Sequence, residues 1–155
     1  MRKQKKLTLV LGIITVFLAT TLFLLSHIVP ASERFELVLD GKAVLDKETG
    51  LIWEQSPDAT KRTWASACAY CLNKEVGGRK GWRLPTQEEL SSLVDTNESD
   101  PTLPSGHSLS NVQSANYWSS TSSPSDAWGV SFSTGIVSPI VRSITNYVWC
   151  VRGGK

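Results

Sequence analysis

Histidine is nearly missing from this chain of 155 residues: there are two, His27 and His107. His27 lies in an apolar N-terminal run, so His107 alone is left for any acid–base or triad role, and a lone loop histidine is ordinarily just exposed. Serines are plentiful, but none sits in a G-x-S-x-G elbow. Glu88 and Glu89 are neighbours on an expected helix and diverge by about 100°, so they do not face each other as a hydrolytic carboxylate pair. Three cysteines and no cluster of metal-ligating residues argue against zinc. There is no heptad run to specify a coiled coil, although a homo-oligomer is compatible with the sequence. These gaps lead to the expectation of a protein that is not an enzyme, with no catalytic residue, no metal and no cofactor.

What is present begins with an export segment. Arg2, Lys3, Lys5 and Lys6 precede Leu7–Val29, whose only ionisable side chain is His27 and which is long enough to cross a bilayer as a helix. Val29-Pro30-Ala31 supplies small residues of the kind found at signal-peptidase sites. Residues 1–31 are therefore read as a signal peptide or an N-terminal membrane anchor, and 32–155 as one extracytoplasmic domain, whether periplasmic, cell-surface or secreted. Membrane contact is expected only through residues 7–29, if the segment is uncleaved. No cysteine follows the run to accept a lipid. The whole chain carries +2, from 16 basic and 14 acidic residues. Four of the bases and none of the acids fall in 1–31, which leaves 12 bases against 14 acids and a net −2 beyond it. A nucleic-acid partner, which demands a concentrated positive face, is not expected. One basic cluster remains, Lys61, Arg62, Lys74, Arg79, Lys80 and Arg83, with Glu75 the only acid in that stretch. It reads as a solvated face or as a patch for an anionic ligand such as an acidic glycan.

Six tryptophans imply either a small core stiffened by large rings or a surface that stacks on ligands, and burial is the commoner fate. Three cysteines in an exported chain imply one disulfide and one thiol left over. Cys68 and Cys71 lie one helical turn apart in TWASACAYCLN, and Cys150 sits near the end in YVWCVRGG. A redox C-A-Y-C pair would need a thiolate activated at a helix N-terminus, whereas these two fall well inside the expected helix. The preferred reading is a bridge between Cys71 and Cys150, with Cys68 a small buried apolar residue.

Phe35–Leu39, Ala43–Leu45 and Leu51–Glu54 are apolar runs separated by turn chemistry at Asp40-Gly41 and Lys47-Glu48-Thr49-Gly50, an antiparallel meander. Thr63 can cap a helix in which Trp64, Ala67, Cys68, Cys71 and Leu72 make one apolar stripe, ended by Gly77-Gly78. In GWRLPTQEEL, Pro85 holds Leu84 extended, and Thr86 to Glu89 has the spacing of a capping box. A second helix should start at Gln87 and run to about Asp95, with Leu90, Leu93 and Val94 inward. Arg83, between Trp82 and Leu84 in extended chain, points to the opposite face and reads as a surface or interface ion pair, with direct ligand contact the alternative. From Thr96 to Asn116 prolines, glycine and serines erase the periodicity, and a loop this long is functional or mobile. Tyr117–Thr121, Ala127–Phe132, Ile136–Ser138 and Tyr147–Arg152 then read as strands. In the last, Val148 and Cys150 share one face and Tyr147, Trp149 and Val151 the other, so both faces should be covered.

The ordered set VLDKETGLIWEQ, TWASACAYCLN, GWRLPTQEEL, YWSST, AWGVSF and YVWCVRGG resembles the Lcl C-terminal domain family, over nearly everything after about Phe35. These bacterial domains, formerly of unknown function, are named for the C-terminal part of a collagen-like adhesin. They are similar in fold to C-type lectin-like domains and to formylglycine-generating enzymes. The resemblance implies an α+β, C-type lectin-like fold: two helices packed on a twisted antiparallel sheet, termini close together, and a long loop region on one side. C-type lectins also have a counterpart of the helix-to-last-strand bridge. Two activities of the wider fold can be tested on the residues. The lectin calcium signatures E-P-N, Q-P-D and W-N-D are absent, and Asp100-Pro101, Asn111, Gln113 and Asp126 are scattered substitutes. The formylglycine-generating reaction uses a close pair of thiols late in the chain, where Cys150 stands alone.

The functional reading is a non-enzymatic extracytoplasmic binding or adhesion module that recognises a glycan or a surface protein. Its ligand surface is expected on the Thr96–Asn116 loop, the Tyr117–Thr121 strand and the Ser122–Asp126 turn. Candidate contacts are Asp100, His107, Asn111, Gln113, Trp118, Ser120 and Asp126. Trp118 and Trp128 are each weighed as core residues and as sugar platforms. The alternative is a membrane-anchored structural or assembly domain of the bacterial envelope, and the third reading is a degenerate relative of the formylglycine-generating enzymes.

Overall fold

The computed structural model describes residues 31–154. The basic N-terminus and the Leu7–Val29 segment lie outside the described residues. Among the described residues no helix is long and apolar enough to cross a membrane.

A single helical turn, α1 (Ala31–Arg34), enters the meander of β1 (Phe35–Val38), β2 (Ala43–Asp46) and β3 (Leu51–Glu54). Phe35 pairs with Asp46 and Ala43 with Glu54, as the two turn sequences require. Then come α2 (Trp64–Leu72), β4 (Trp82–Arg83) and α3 (Gln87–Ser91), followed by β5 (Asn116–Ser122), β6 (Asp126–Ser131), β7 (Val137–Val141) and β8 (Val151–Arg152). The strands form two antiparallel sheets, ordered β1-β2-β3-β8-β4 and β5-β6-β7. The domain is thus α+β, with two helices of more than one turn.

The chain from Asn146 to Val151 is the seam between the sheets. Arg62 and Asn146 exchange backbone hydrogen bonds of 2.9 and 3.0 Å. Tyr147 N–H donates to Asn116 O and its carbonyl accepts from Trp118 N–H, and Cys150 O accepts from Glu54 N–H. Val151 finally pairs with both Trp53 and Arg83. Because the backbone changes partner every residue or two, the expected Tyr147–Arg152 strand is a regular ladder only at β8. Side-chain alternation survives. Trp149 and Val151 join Phe35, Val44, Trp53, Leu90, Tyr117 and Phe132 in one core, while Val148 and Cys150 join Ala67, Cys71, Trp82, Leu84 and Trp118 in another. Cys71 and Cys150 are bonded, with Cα atoms 5.5 Å apart and both residues fully buried.

Trp53, Trp82, Trp118 and Trp149 are buried, so the rings stiffen the core. The indole N–H groups of Trp82, Trp118 and Trp149 donate at 2.8 Å to the carbonyls of Arg79, Arg62 and Glu54.

Several expectations differ from the structure: α2 ends at Leu72 with Asn73 as its cap, short of Gly77-Gly78, and the Thr63 side chain makes no cap bond. The stripe on α2 is narrower than its spacing implied: Ala67 and Cys71 are buried, Trp64 and Cys68 are half-buried, and Leu72 is 68% exposed. Leu72 is the last helical residue and lies 100° round from Cys71, off the buried stripe. Helix α3 stops at Ser91 rather than near Asp95, because Leu93 and Val94 N–H close tighter turns onto Leu90 and Ser91, and Asp95 N–H goes to Thr102 O at 2.9 Å. The long loop is irregular yet anchored. Leu103 and Leu109 are in the core, Thr102 N–H donates to Phe132 O at 2.8 Å, and Ser110 N–H donates to Gln55 O at 2.8 Å.

Candidate functional site

The β5–β6 hairpin separates the candidate ligand contacts into two groups. Where Asn116 faces Ser131, Gln113 N–H donates to Tyr117 Oη at 2.8 Å, and Gln113 Nε2 donates to Asn111 O and Oδ1 at 3.0 and 3.2 Å. Asn111 Nδ2 donates in turn to Pro57 O at 2.9 Å, and its φ of 54° is a left-handed conformation that asparagine tolerates. Asp100 is exposed, also with a φ of 54°. His107 is half-buried and its Nδ1 accepts Leu109 N–H at 3.1 Å; burial lowers its pKa from the ordinary 6.5, which suits a neutral ring accepting that bond. At the hairpin's turn end, Ser120 is exposed with its hydroxyl donating to Pro85 O at 3.1 Å, and Asp126 Oδ2 accepts from Ser125 Oγ at 2.9 Å. Arg142 braces that turn through Asp126 O and Ser123 O, its guanidinium 4.4 Å above the Trp64 ring. Trp118 is fully buried, with its N–H on Arg62 O. It is a core residue and offers no ligand face. Trp128 is half-buried.

The fold gives three cations of the basic cluster, Arg62, Lys74 and Arg83, partners of their own. Arg62 Nη2 is 2.6 Å from Asp58 Oδ2 and its guanidinium stacks 3.7 Å above the Tyr70 ring. Slight burial acts to raise the Asp58 pKa, but bonds from Arg62 and Thr60 outweigh it and hold the carboxyl at about 2. Lys74 Nζ pairs with Glu54 Oε1 and donates to Tyr70 Oη. Arg83 spans Glu89 with bonds of 2.6 and 2.7 Å and also reaches Gly153 O at 2.8 Å. Lys61, Arg79 and Lys80 are left as the exposed cations, with Lys80 Nζ 3.9 Å from Glu75 and Lys61 Nζ 5.0 Å above the Tyr147 ring.

GWRLPTQEEL builds the corner from β4 into α3. Trp82 and Leu84 are buried, and Thr86 Oγ1 accepts Glu89 N–H at 3.2 Å while Glu89 Oε2 accepts Thr86 N–H at 2.8 Å. The same carboxylate receives Arg83. The surface ion pair and the capping box are one assembly.

Two buried carboxylates escaped the sequence reading. Asp46 is fully buried, receives Arg34 through Nε and Nη2 at 2.8 and 2.7 Å, and also accepts from Thr49 Oγ1 at 2.9 Å and Glu48 N–H at 3.1 Å. Burial works to raise its pKa, but these bonds prevail and hold it below the ordinary 3.8. The local Asp-x-x-Thr turn was visible in the sequence; the arginine twelve residues away was not. Glu54 is 6% exposed and ends an apolar strand. Lys74 holds its Oε1, while its Oε2 is buried with no hydrogen-bond partner, and burial raises its pKa above the ordinary 4.5. Glu54 and Lys74 both line a cleft of about 540 Å³, bordered by Gly41, Ser56 and Gly77-Gly78. Among the described residues no group of three or more His, Cys, Asp or Glu is placed to hold a metal ion.

These features define a small disulfide-tied α+β domain with four part-buried ion pairs and a polar irregular segment pinned across one surface. The buried disulfide marks an oxidising, extracytoplasmic environment. The chain belongs to the Lcl C-terminal domain family, whose model matches residues 42–152, from just before β2 to the end of β8. A comparison with curated proteins finds no match.

Proposed function

We propose that this domain is a non-enzymatic binding module of the periplasm or cell surface, with a C-type lectin-like plan, which recognises a glycan or a surface protein through its loop region. The observation that carries this reading is the anchored loop. Leu103, Leu109 and Thr102 fix the backbone into the core, so that the exposed Asp100 and Asn111 and the half-buried His107 and Gln113 are held on a pre-organised surface. Pre-organisation reduces the ordering cost of binding. The plan draws support from the bridge between α2 and the segment leading into β8 and from the two antiparallel sheets.

The test is a glycan array and a surface-protein capture with the wild type and with the Gln113→Ala and His107→Ala variants. A defined set of ligands should be held by the wild type, with at least tenfold weaker retention by one variant at unchanged melting temperature. Capture of nothing, or retention indifferent to both variants, would contradict the reading. An envelope-assembly role is the second reading, favoured by the apolar side chains along the β7 side: Ile136, Val141 and Ile144 are 61, 57 and 50% exposed. A concentration-dependent rise in mass that Val141→Asp abolishes would support it.

A further inference from the structure

We propose that Asp95–Ser99 is an N-glycosylation acceptor, with Asn97 the residue modified by an oligosaccharyltransferase that draws its glycan from a lipid diphosphate. A sequence signal and an exposed turn coincide there. Asn-x-Ser/Thr, with any residue but proline between, is the acceptor signal of exported proteins. Its longer, bacterial form adds an acid two residues ahead of the asparagine, which a basic group of the transferase can pair with. Asp95-Thr96-Asn97-Glu98-Ser99 fits the longer form at every position. The other asparagines, Asn73, Asn111, Asn116 and Asn146, are followed two residues on by Glu75, Gln113, Trp118 and Val148, so none of them is such a signal.

A sequon works only from a surface that the transferase can reach. Thr96, Asn97, Ser99 and Asp100 are all exposed. The base of this turn is fixed, because Asp95 N–H donates to the carbonyl of buried Thr102 at 2.9 Å. Gly135 packs close beside it: a side chain there would come within 2.8 Å of Val94 Cγ1 and 3.2 Å of Thr96 Cγ2. The backbone N–H and Nδ2 of Asn97 both donate to Asp95 Oδ1 at 2.9 Å. A primary amide has two N–H groups, so one on Nδ2 is left for reaction, and Asp95 Oδ2 is left to meet the transferase. The buried disulfide places the finished fold outside the cytoplasm, where glycans on lipid diphosphates are delivered. In the transfer, Asn97 Nδ2 bonds to the anomeric carbon of the glycan and gives up one proton to a base of the transferase. The bond from that carbon to the diphosphate oxygen breaks, and the lipid diphosphate leaves with the electron pair.

The test is to incubate the folded, disulfide-bonded full chain with a bacterial oligosaccharyltransferase and a polyprenyl-diphosphate-linked oligosaccharide, beside a control acceptor peptide. Intact mass and peptide mapping read the product. A gain of one oligosaccharide, on the peptide that contains Asn97, is the expected result. Asn97→Gln and Ser99→Ala should abolish the gain, Ser99→Thr should keep it, and Asp95→Ala should slow it at least tenfold, all at an unchanged melting temperature. Three results would overturn the proposal: no gain on the folded wild type, a gain seen only after the protein is reduced and denatured, or a gain that persists in Asn97→Gln. A rate unchanged in Asp95→Ala would also overturn it, since the acid is part of the acceptor. Because the readout is covalent mass, it stands apart from any glycan bound by the loop surface.

Discussion

Glu89 serves two elements at once. It caps α3 through Thr86 N–H and holds Arg83, whose Nη2 continues to Gly153 O beyond β8. Burial acts to raise its pKa, but the Arg83 and Thr86 bonds outweigh it and hold the carboxyl below the ordinary 4.5. A carboxylate with a lowered folded pKa gives stability that is complete above its unfolded value and lost as pH falls through the folded one. Asp46 and Asp58 have the same sign, whereas Glu54, raised by burial, works in the opposite direction as pH climbs past 4.5. Stability to denaturant should therefore decline as pH is lowered from roughly 5 toward 2. Thr86→Ala should cost about 1 kcal/mol across that range. Glu89→Gln should cost about 2 kcal/mol at neutral pH and flatten the acid decline. Urea unfolding over a pH series reads all three, and an acid slope unchanged in Glu89→Gln would contradict the role of this carboxylate.

The loop between α3 and β5 behaves as a core element without regular structure. Leu103 and Leu109 are 2 and 5% exposed, so Leu103→Ala or Leu109→Ala should destabilise the domain by about 2–4 kcal/mol, as a buried helix or strand leucine would. The amides of Thr102, Ser110 and Phe132 should exchange slowly, near the rate of global opening, and those of Ser105 and Gly106 rapidly. Rapid exchange at Thr102 and Ser110 would contradict the anchoring. None of this was legible in the sequence: the two leucines stand singly among serines and prolines, and their segment's partners, Gln55 and Phe132, lie far along the chain. Short-range chemistry was legible, including the meander with its turns, the start of α3 and the capping box. The candidate site was legible in composition but not in grouping. Nothing local shows that Trp118 would bury its indole on Arg62, or that Glu54, at the end of an apolar run, would meet Lys74 twenty residues on.

In the molecule as a whole, the Asn146–Val151 seam divides the two cores, and the disulfide ties it to α2. The bonded cysteines are 79 residues apart, and closing a loop of that size stabilises the fold by about 4–5 kcal/mol through chain entropy. Small domains have only about 5–15 kcal/mol in all, so reduction should bring the protein close to its unfolding limit at 37 °C. Cys68 is half-buried and burial raises its thiol pKa, the reverse of what a redox C-A-Y-C pair requires. The Cys71–Cys150 bridge thus ties the domain together, with Cys68 outside it. Non-reducing peptide mapping, with alkylation of the protein after unfolding without reductant, tests this most directly. A peptide pair joined through Cys71 and Cys150, with Cys68 alkylated, is the expected result. A bridge between Cys68 and Cys71 with Cys150 alkylated would contradict it.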